Sequence, residues 1–171
     1  MDFFDIVRIR RSVRAYLPRP VERDKLQRLL EAANAAPSAG NLQAYEIFLV
    51  TKDAQRKGLA AAALAQDFIA AAPVALVFCA HPARSEWRYG RRGAELYCIQ
   101  DATIACAFAM LAATALGLAT CWVGAFRDDD VRRVLGISGK LIPVAILPVG
   151  YPAEKPEPSR RRKLTDLVHE L

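Results

Sequence analysis

At 171 residues, 53% hydrophobic and 25% charged, the chain has room for one domain. A chain of this length buries roughly 70% of the surface its unfolded form exposes, which excludes a linker-dominated or disordered polypeptide and predicts a single domain over 1–171. The net charge of +6 gathers between Arg8 and Arg28 and between Lys155 and Lys163, so anions are the expected partners. The basic segments lack the interleaved aromatics of a nucleic-acid platform. Cys79, Cys98, Cys106 and Cys121 lie 19, 8 and 15 residues apart, with two histidines in the whole chain. That spacing suits neither a zinc site nor a disulfide framework, and no metal is expected. Buried free thiols, and charges that begin at Asp2, point to the cytoplasm.

Asp2 is placed to cap a first helix that buries Phe3, Phe4, Ile6 and Val7. The helix leads to Arg10-Arg11-Ser12-Val13-Arg14. In an extended segment the two-residue period puts Arg10, Ser12 and Arg14 on one side, where guanidiniums and a hydroxyl suit a phosphomonoester. The same run is also compatible with a solvated charge cluster. After Pro18 and Pro20, Leu26, Leu29, Leu30 and Ala33 mark a second helix that stops before Pro37. Pro37 to Gln43 is a loop of turn formers in which Gly40 is free to take positive φ.

Tyr45 to Thr51 reads as a strand, Asp53 to Ala72 as one alanine-rich helix broken by Pro73, and Val74 to Ala80 as a fully buried strand. The polar stretch 81–93 carries Trp87 and Tyr89 among Arg84, Arg88, Arg91 and Arg92. It reads as a loop, either a lid over a site or a solvated connector. Glu95 to Leu116 is the long central helix, closed by Gly117. Ala102 to Phe126 has no charge over 25 residues, nine of them alanine. Gly117 and Gly124 interrupt it, and Asp101 and Arg127 bound it. A helix buried in protein and then a strand account for it better than a membrane span. A third strand is expected over Leu118 to Ala125, a short helix from Asp128 to Leu135 led by three aspartates, and a fourth strand over Pro143 to Val149. The tail is rich in proline and charge, with Leu164, Leu167 and Val168 spaced to pack on something. No G-x-G-x-x-G or P-loop motif is present.

Five separated stretches together resemble the flavin-dependent nitroreductase family: Arg10 to Arg14, Pro37 to Gln43, Gln100-Asp101, Gly117 to Phe126, and Arg160-Arg161-Arg162-Lys163. Their order matches, and the resemblance spans nearly the whole chain. It implies an α+β three-layer fold with a mixed central β-sheet flanked by helices, and an interlocked homodimer holding FMN at the subunit interface. Arg10, Arg11, Ser12 and Arg14 match positions that hold the phosphate, the ribityl chain and one ring edge. Arg10 and Ser12 take the phosphate end. Arg14 takes the ring edge, where reduction creates negative charge. Pro37, Ser38 and Asn41 match positions that reach the ring from the partner subunit.

Gly124 matches the loop whose N–H groups approach flavin N5, though a simple strand-end turn also explains a glycine there. Arg160 and Arg162 match the basic pair that closes over the phosphate, with the register open by one among three arginines. Gln66 lies near a ring-edge position where other members place a lysine a few residues on. Here Asp67 and Phe68 occupy that neighbourhood. The implied function is hydride transfer from NADH or NADPH through FMN to a nitroaromatic, a quinone or a similar small molecule. No protein side chain is then required as acid or base. A non-catalytic flavin carrier or redox sensor is the alternative.

Overall fold

The computed structural model describes residues 2–171. In chain order its elements begin with α1 (Phe3–Ile9), α2 (Arg23–Asn34), β1 (Tyr45–Val50), α3 (Asp53–Ala62), α4 (Phe68–Ala71) and β2 (Val74–Ala80). There follow α5 (Pro82–Arg92), α6 (Cys98–Ala115), β3 (Ala119–Thr120), α7 (Asp128–Leu135) and β4 (Ile142–Gly150). The four strands pair in the order β1-β2-β4-β3, every neighbour antiparallel. Parallel pairing enters only as a bridge from Ser12 to Thr120 among the described residues.

All of β2 is buried, as a strand covered on both faces must be. Its alternation divides two cores. Leu76, Phe78 and Ala80 face α2 and α6, whereas Ala75, Val77 and Cys79 face the layer that includes α3 and α7. The chain therefore forms an α+β three-layer arrangement with the sheet in the middle. Ala102, Ala105, Ala109 and Ala113 are fully buried along α6, and such small side chains let a helix approach a sheet closely. The stretch Pro82–Ala115 is long and apolar enough to cross a membrane by length and composition, yet α6 is the central helix of one core.

Several expectations give way to the structure. The helix expected over Asp53 to Ala72 is broken, because Leu64 and Ala65 take φ of 58° and 60°. Arg127 captures the end of α3, its N–H donating to Ala62 O at 3.0 Å. The stretch 81–93 is not a loop but α5, which is kinked at Gly90 (φ 54°). His81 Nδ1 accepts from Arg84 N at 3.3 Å, and Pro82 occupies the first turn, where its missing N–H costs nothing. Trp87 is nevertheless 72% exposed on it. A π-helical turn over Gly93–Tyr97 runs without a break into α6, so the helix expected from Glu95 is present, wider in its first turn and α-helical from Cys98.

The third strand is interrupted after Thr120. Its register pairs Thr120 with Val149 and Val123 with Ile146, which sets Cys121 opposite Pro148, a residue with no N–H to donate. The other proline of β4, Pro143, falls at the register shift opposite Phe78 and Cys79, where a proline inside a sheet is tolerated.

Asp2 caps α1 as expected, accepting from Asp5 N at 2.8 Å. No residue of α1 is buried, however, and Phe3, Phe4, Val7 and Ile9 are 60%, 79%, 50% and 44% exposed. Beside them an apolar cleft of about 280 Å³ is lined by Phe3, Ile6, Phe108 and Leu111. Leu164, Leu167 and Val168 are likewise exposed. These apolar spacings are real, but among the described residues of one chain none of these side chains is buried.

Candidate functional site

Helix α1 ends at Arg10 (φ −54°, ψ 130°), whose N–H still reaches Ile6 O at 3.0 Å. Beyond it the chain extends. Val13 N donates to Thr120 O at 3.0 Å, while Val13 and Tyr16 turn into a small apolar cluster with Ala72 and Ala119. Tyr16 is fixed there by a hydrogen bond from its hydroxyl to Val13 O at 2.7 Å. With Val13 inside, Arg14 is exposed, while Ser12 is half-buried and shares a hydrogen bond with the Cys121 thiol. A cavity of about 190 Å³ is lined by Arg10, Arg11, Ser12, Arg14 and Arg161 together with Glu157.

Among the described residues none of these four arginines forms an ion pair with a carboxylate. Arg11 folds back on the main chain, donating to Arg8 O at 2.6 Å and Arg10 O at 2.8 Å. Arg14 lies 5.9 Å from the centre of the Phe68 ring. Behind the segment, burial raises the pKa of the Cys121 thiol, while Arg14, a hydrogen bond with Ser12 and Arg10 pull against it. Of the tail arginines, Arg161 lines the cavity. Arg160 does not, and Arg162 turns away to donate to Asp166 O at 2.6 Å.

Gln66 closes the break between α3 and α4. Its Nε2 donates to Ala63 O at 2.9 Å and to Ala125 O at 3.2 Å, tying that turn to the loop containing Gly124. A Cβ on Gly124 would meet the Trp122 indole, with Nε1 at 3.3 Å and Cδ1 at 3.9 Å. Phe68 belongs to the same break and carries the connection on to Arg14, so Arg14, Gln66 and Gly124 follow one edge of the fold.

Pro37, Ser38 and Asn41 are held elsewhere. The carboxylate of Asp101, buried at 2% exposure, accepts from Ala39 N at 2.9 Å and Ala44 N at 3.3 Å. Ser38 Oγ accepts from Gln43 N at 3.0 Å. Gly40 takes φ 57°, a conformation that disfavours a side chain, and a Cβ there would also have to displace the Tyr89 hydroxyl, 2.4 Å away. The loop and the head of α6 line a cavity of about 530 Å³ with Pro37, Ser38, Tyr97, Gln100 and Ile104. Asp101 is the residue that sequence reasoning placed in a motif without a task. A lone carboxylate at the head of an apolar helix was the available signal.

The other end of α6, at Thr114, lines a cavity with Arg10 and Arg11. From Asp101 to Thr114 a helix rises about 20 Å. One chain thus separates the arginine segment from the Pro37 loop by about the length of its central helix.

A family model described as the nitroreductase family matches residues 7–66 and 60–151. A protein named NADH dehydrogenase from Thermus thermophilus is 31% identical over 186 residues, covering 93% of this chain and 91% of the relative. An FMN reductase (NAD(P)H) of Bacillus subtilis is 31% identical over 159 residues, covering 85% of this chain and 64% of that protein. Among solved structures, nitroreductase A from Vibrio parahaemolyticus superposes with a TM-score of 0.91 at 27% identity, covering 99% of this chain and 76% of that one.

Proposed function

Since the chain belongs to the nitroreductase family, we propose that it is an FMN-dependent oxidoreductase drawing hydride from NADH or NADPH and passing it to a small-molecule acceptor such as a nitroaromatic or a quinone. The observation that carries this reading is the set of arginines without carboxylate partners, gathered with Ser12 around one small cavity. Their donors fit a phosphate. Planar guanidiniums and a hydroxyl offer directed bonds to its oxygens, and although Glu157 lines the same cavity, none of the four arginines is paired with a carboxylate among the described residues.

Bound FMN supplies the hydride relay, at ring N5. The protein's part is to hold and orient. Arg10 and Ser12 bind the phosphate, with Arg11 bracing the main chain at Arg8 and Arg10. Arg14, at the opposite end of the segment, stabilises negative charge on the ring edge. Gly124 admits the ring to the main chain without a side chain in the way, and Gln66 keeps that loop in place. In this reading Arg161, the tail arginine that lines the cavity, closes over the phosphate in place of the expected Arg160 and Arg162.

Pro37, Ser38 and Asn41 come from a second copy, because in one chain they lie a helix length away from Arg14. The active species in this reading is accordingly a cytoplasmic homodimer, each chain one FMN-binding domain over 1–171. The exposed apolar face of α1 supports that assembly. An absorption spectrum of the purified protein tests the proposal, followed by rapid mixing with NADH and NADPH. Flavin bands that bleach on mixing are expected. Absence of flavin removes the reading, and flavin that neither nucleotide reduces replaces it with a carrier or sensor.

A further inference from the structure

Glu154 lies beyond every motif so far assigned a task, yet it touches the segment that matters most. The chain leaving β4 runs antiparallel to residues 15–17. Tyr16 bridges Pro152, Leu17 N donates to Tyr151 O at 2.9 Å, and Ala153 N donates to Ala15 O at 2.9 Å. Both bonds come from the neighbours of the bridged pair, so Pro152 is asked for no N–H. Continued by one step, this register sets Glu154 opposite Arg14. There the ladder ends and a side chain takes over. Glu154 Oε1 accepts from Arg14 N at 2.5 Å and from Ala15 N at 3.2 Å.

A carboxylate beside a guanidinium ordinarily pairs with it. Here, among the described residues, Glu154 makes no ion pair with Arg14 or any other cation, and its oxygen is bonded to the main chain instead. Hydrogen bonds to a charged acceptor are stronger than neutral ones, and two on one oxygen hold the two successive peptide planes that flank the Arg14 Cα. The guanidinium of Arg14 stays free for an outside anion while its root is tethered. Tyr16, packed behind, is influenced by both charges in opposite senses, with burial the larger effect on its hydroxyl.

We propose that Glu154 is a positioning residue that sets the place of Arg14, and through it the stability of the reduced state of a flavin bound there. The inference rests on the assignment of Arg14 to the ring edge. It predicts that Glu154→Ala frees the Arg14 and Ala15 amides and lets the guanidinium wander. Glu154→Gln keeps an acceptor oxygen at the same reach and preserves the hold. Glu154→Asp is one methylene short and behaves like the alanine variant.

Two measurements on flavin-loaded protein, with a third on apoprotein, decide the matter. Amide hydrogen exchange should speed up at least tenfold at Arg14 and Ala15 in Glu154→Ala and less than threefold in Glu154→Gln, with or without flavin. The reduced flavin complex should weaken about tenfold relative to the oxidised one, a fall of about 30 mV in a two-electron midpoint potential. In an Arg14→Ala background the Glu154→Ala change should add no further fall, since the residue then has nothing to position. Faster amide exchange with an unmoved potential makes Glu154 a mere fastening of the backbone and overturns the proposal, as does unaltered exchange. If Glu154→Ala fails to fold, Glu154→Asp supplies the same readings. Failure of every variant and the parent to bind flavin sinks the functional reading instead, and exchange in the apoprotein still reports on the hold.

Discussion

Replacing Phe4 by alanine should loosen the proposed homodimer without unfolding the chain. Phe4 is 79% exposed in the single chain. A phenylalanine carries about 200 Å² of surface, so about 160 Å² remains to be covered by a second copy. At about 25 cal/mol per Å² this is worth about 4 kcal/mol per copy, doubled by the symmetry of a two-fold contact. Partial burial in the reference state and imperfect docking cut the sum, leaving about 3–5 kcal/mol. The dimer dissociation constant should rise by about a hundredfold to a few thousandfold. Sedimentation velocity over a dilution series reads it directly. Leu49→Ala serves as the control, an exposed apolar residue on the sheet edge at β1. If Phe4→Ala dissociates at the same concentration as the parent, or a monomer retains stoichiometric flavin, the reasoning that α1 awaits a second chain is refuted.

Arg10→Ala should weaken FMN binding by about ten- to a hundredfold, the value of a hydrogen bond to a charged group, while changing riboflavin affinity less than twofold. Fluorescence titration with both flavins separates the two, and an equal loss would move the phosphate away from Arg10. Glu22 has its pKa held down at about 2, chiefly by the Tyr151 hydroxyl that donates to it at 2.6 Å. A depressed carboxylate contributes stability that is present above its unfolded pKa and lost as pH falls through the folded one. Tyr151→Phe should therefore raise the Glu22 pKa and move that acid loss upward, seen by carboxyl ¹³C NMR titration. Phe78, fully buried between α6 and β4, should cost about 3–5 kcal/mol on truncation to alanine, measured by urea unfolding. The Cys79 thiol is pushed up to about 12 by burial, so its labelling by a thiol reagent near pH 8 should track unfolding rather than reagent concentration.

Local chemistry made much of this structure legible. Caps, prolines and apolar spacing located α2, α7 and the buried strands, because each signal acts within a few residues. Gly136 closes α7 at φ 67°, as a left-handed cap must. The break between α3 and α4 was hidden, since neither Leu64 nor Ala65 is a turn former and the partner that bends them, Arg127, is far along the chain. The spacing of Phe3, Phe4, Ile6 and Val7 predicts a buried face for α1 because a pattern reports that a surface is apolar, not whether its own chain covers it. In the site, the arginine motif announced itself through charge and period. Glu154 did not, for its role depends on a strand register that only folding creates. The tail arginines are three alike in a row, so the one that reaches the cavity is set by backbone direction and not by residue type.

The left-handed pair Leu64 and Ala65 has a consequence for how the chain reaches its native state. Both are good helix formers, and holding L-residues in that region costs each about 1–2 kcal/mol. Before tertiary contacts form, nothing opposes a helix running straight through from Asp53 toward Ala71, and the unfolded ensemble should contain such a non-native helix. Folding must then unwind it, a point where local preference and global fold disagree. Ala65→Gly relaxes the native turn and weakens the competing helix together, so it should accelerate refolding as well as stabilise the product. A synthetic peptide of residues 53–72 should be more helical in solution than the same segment is in the protein.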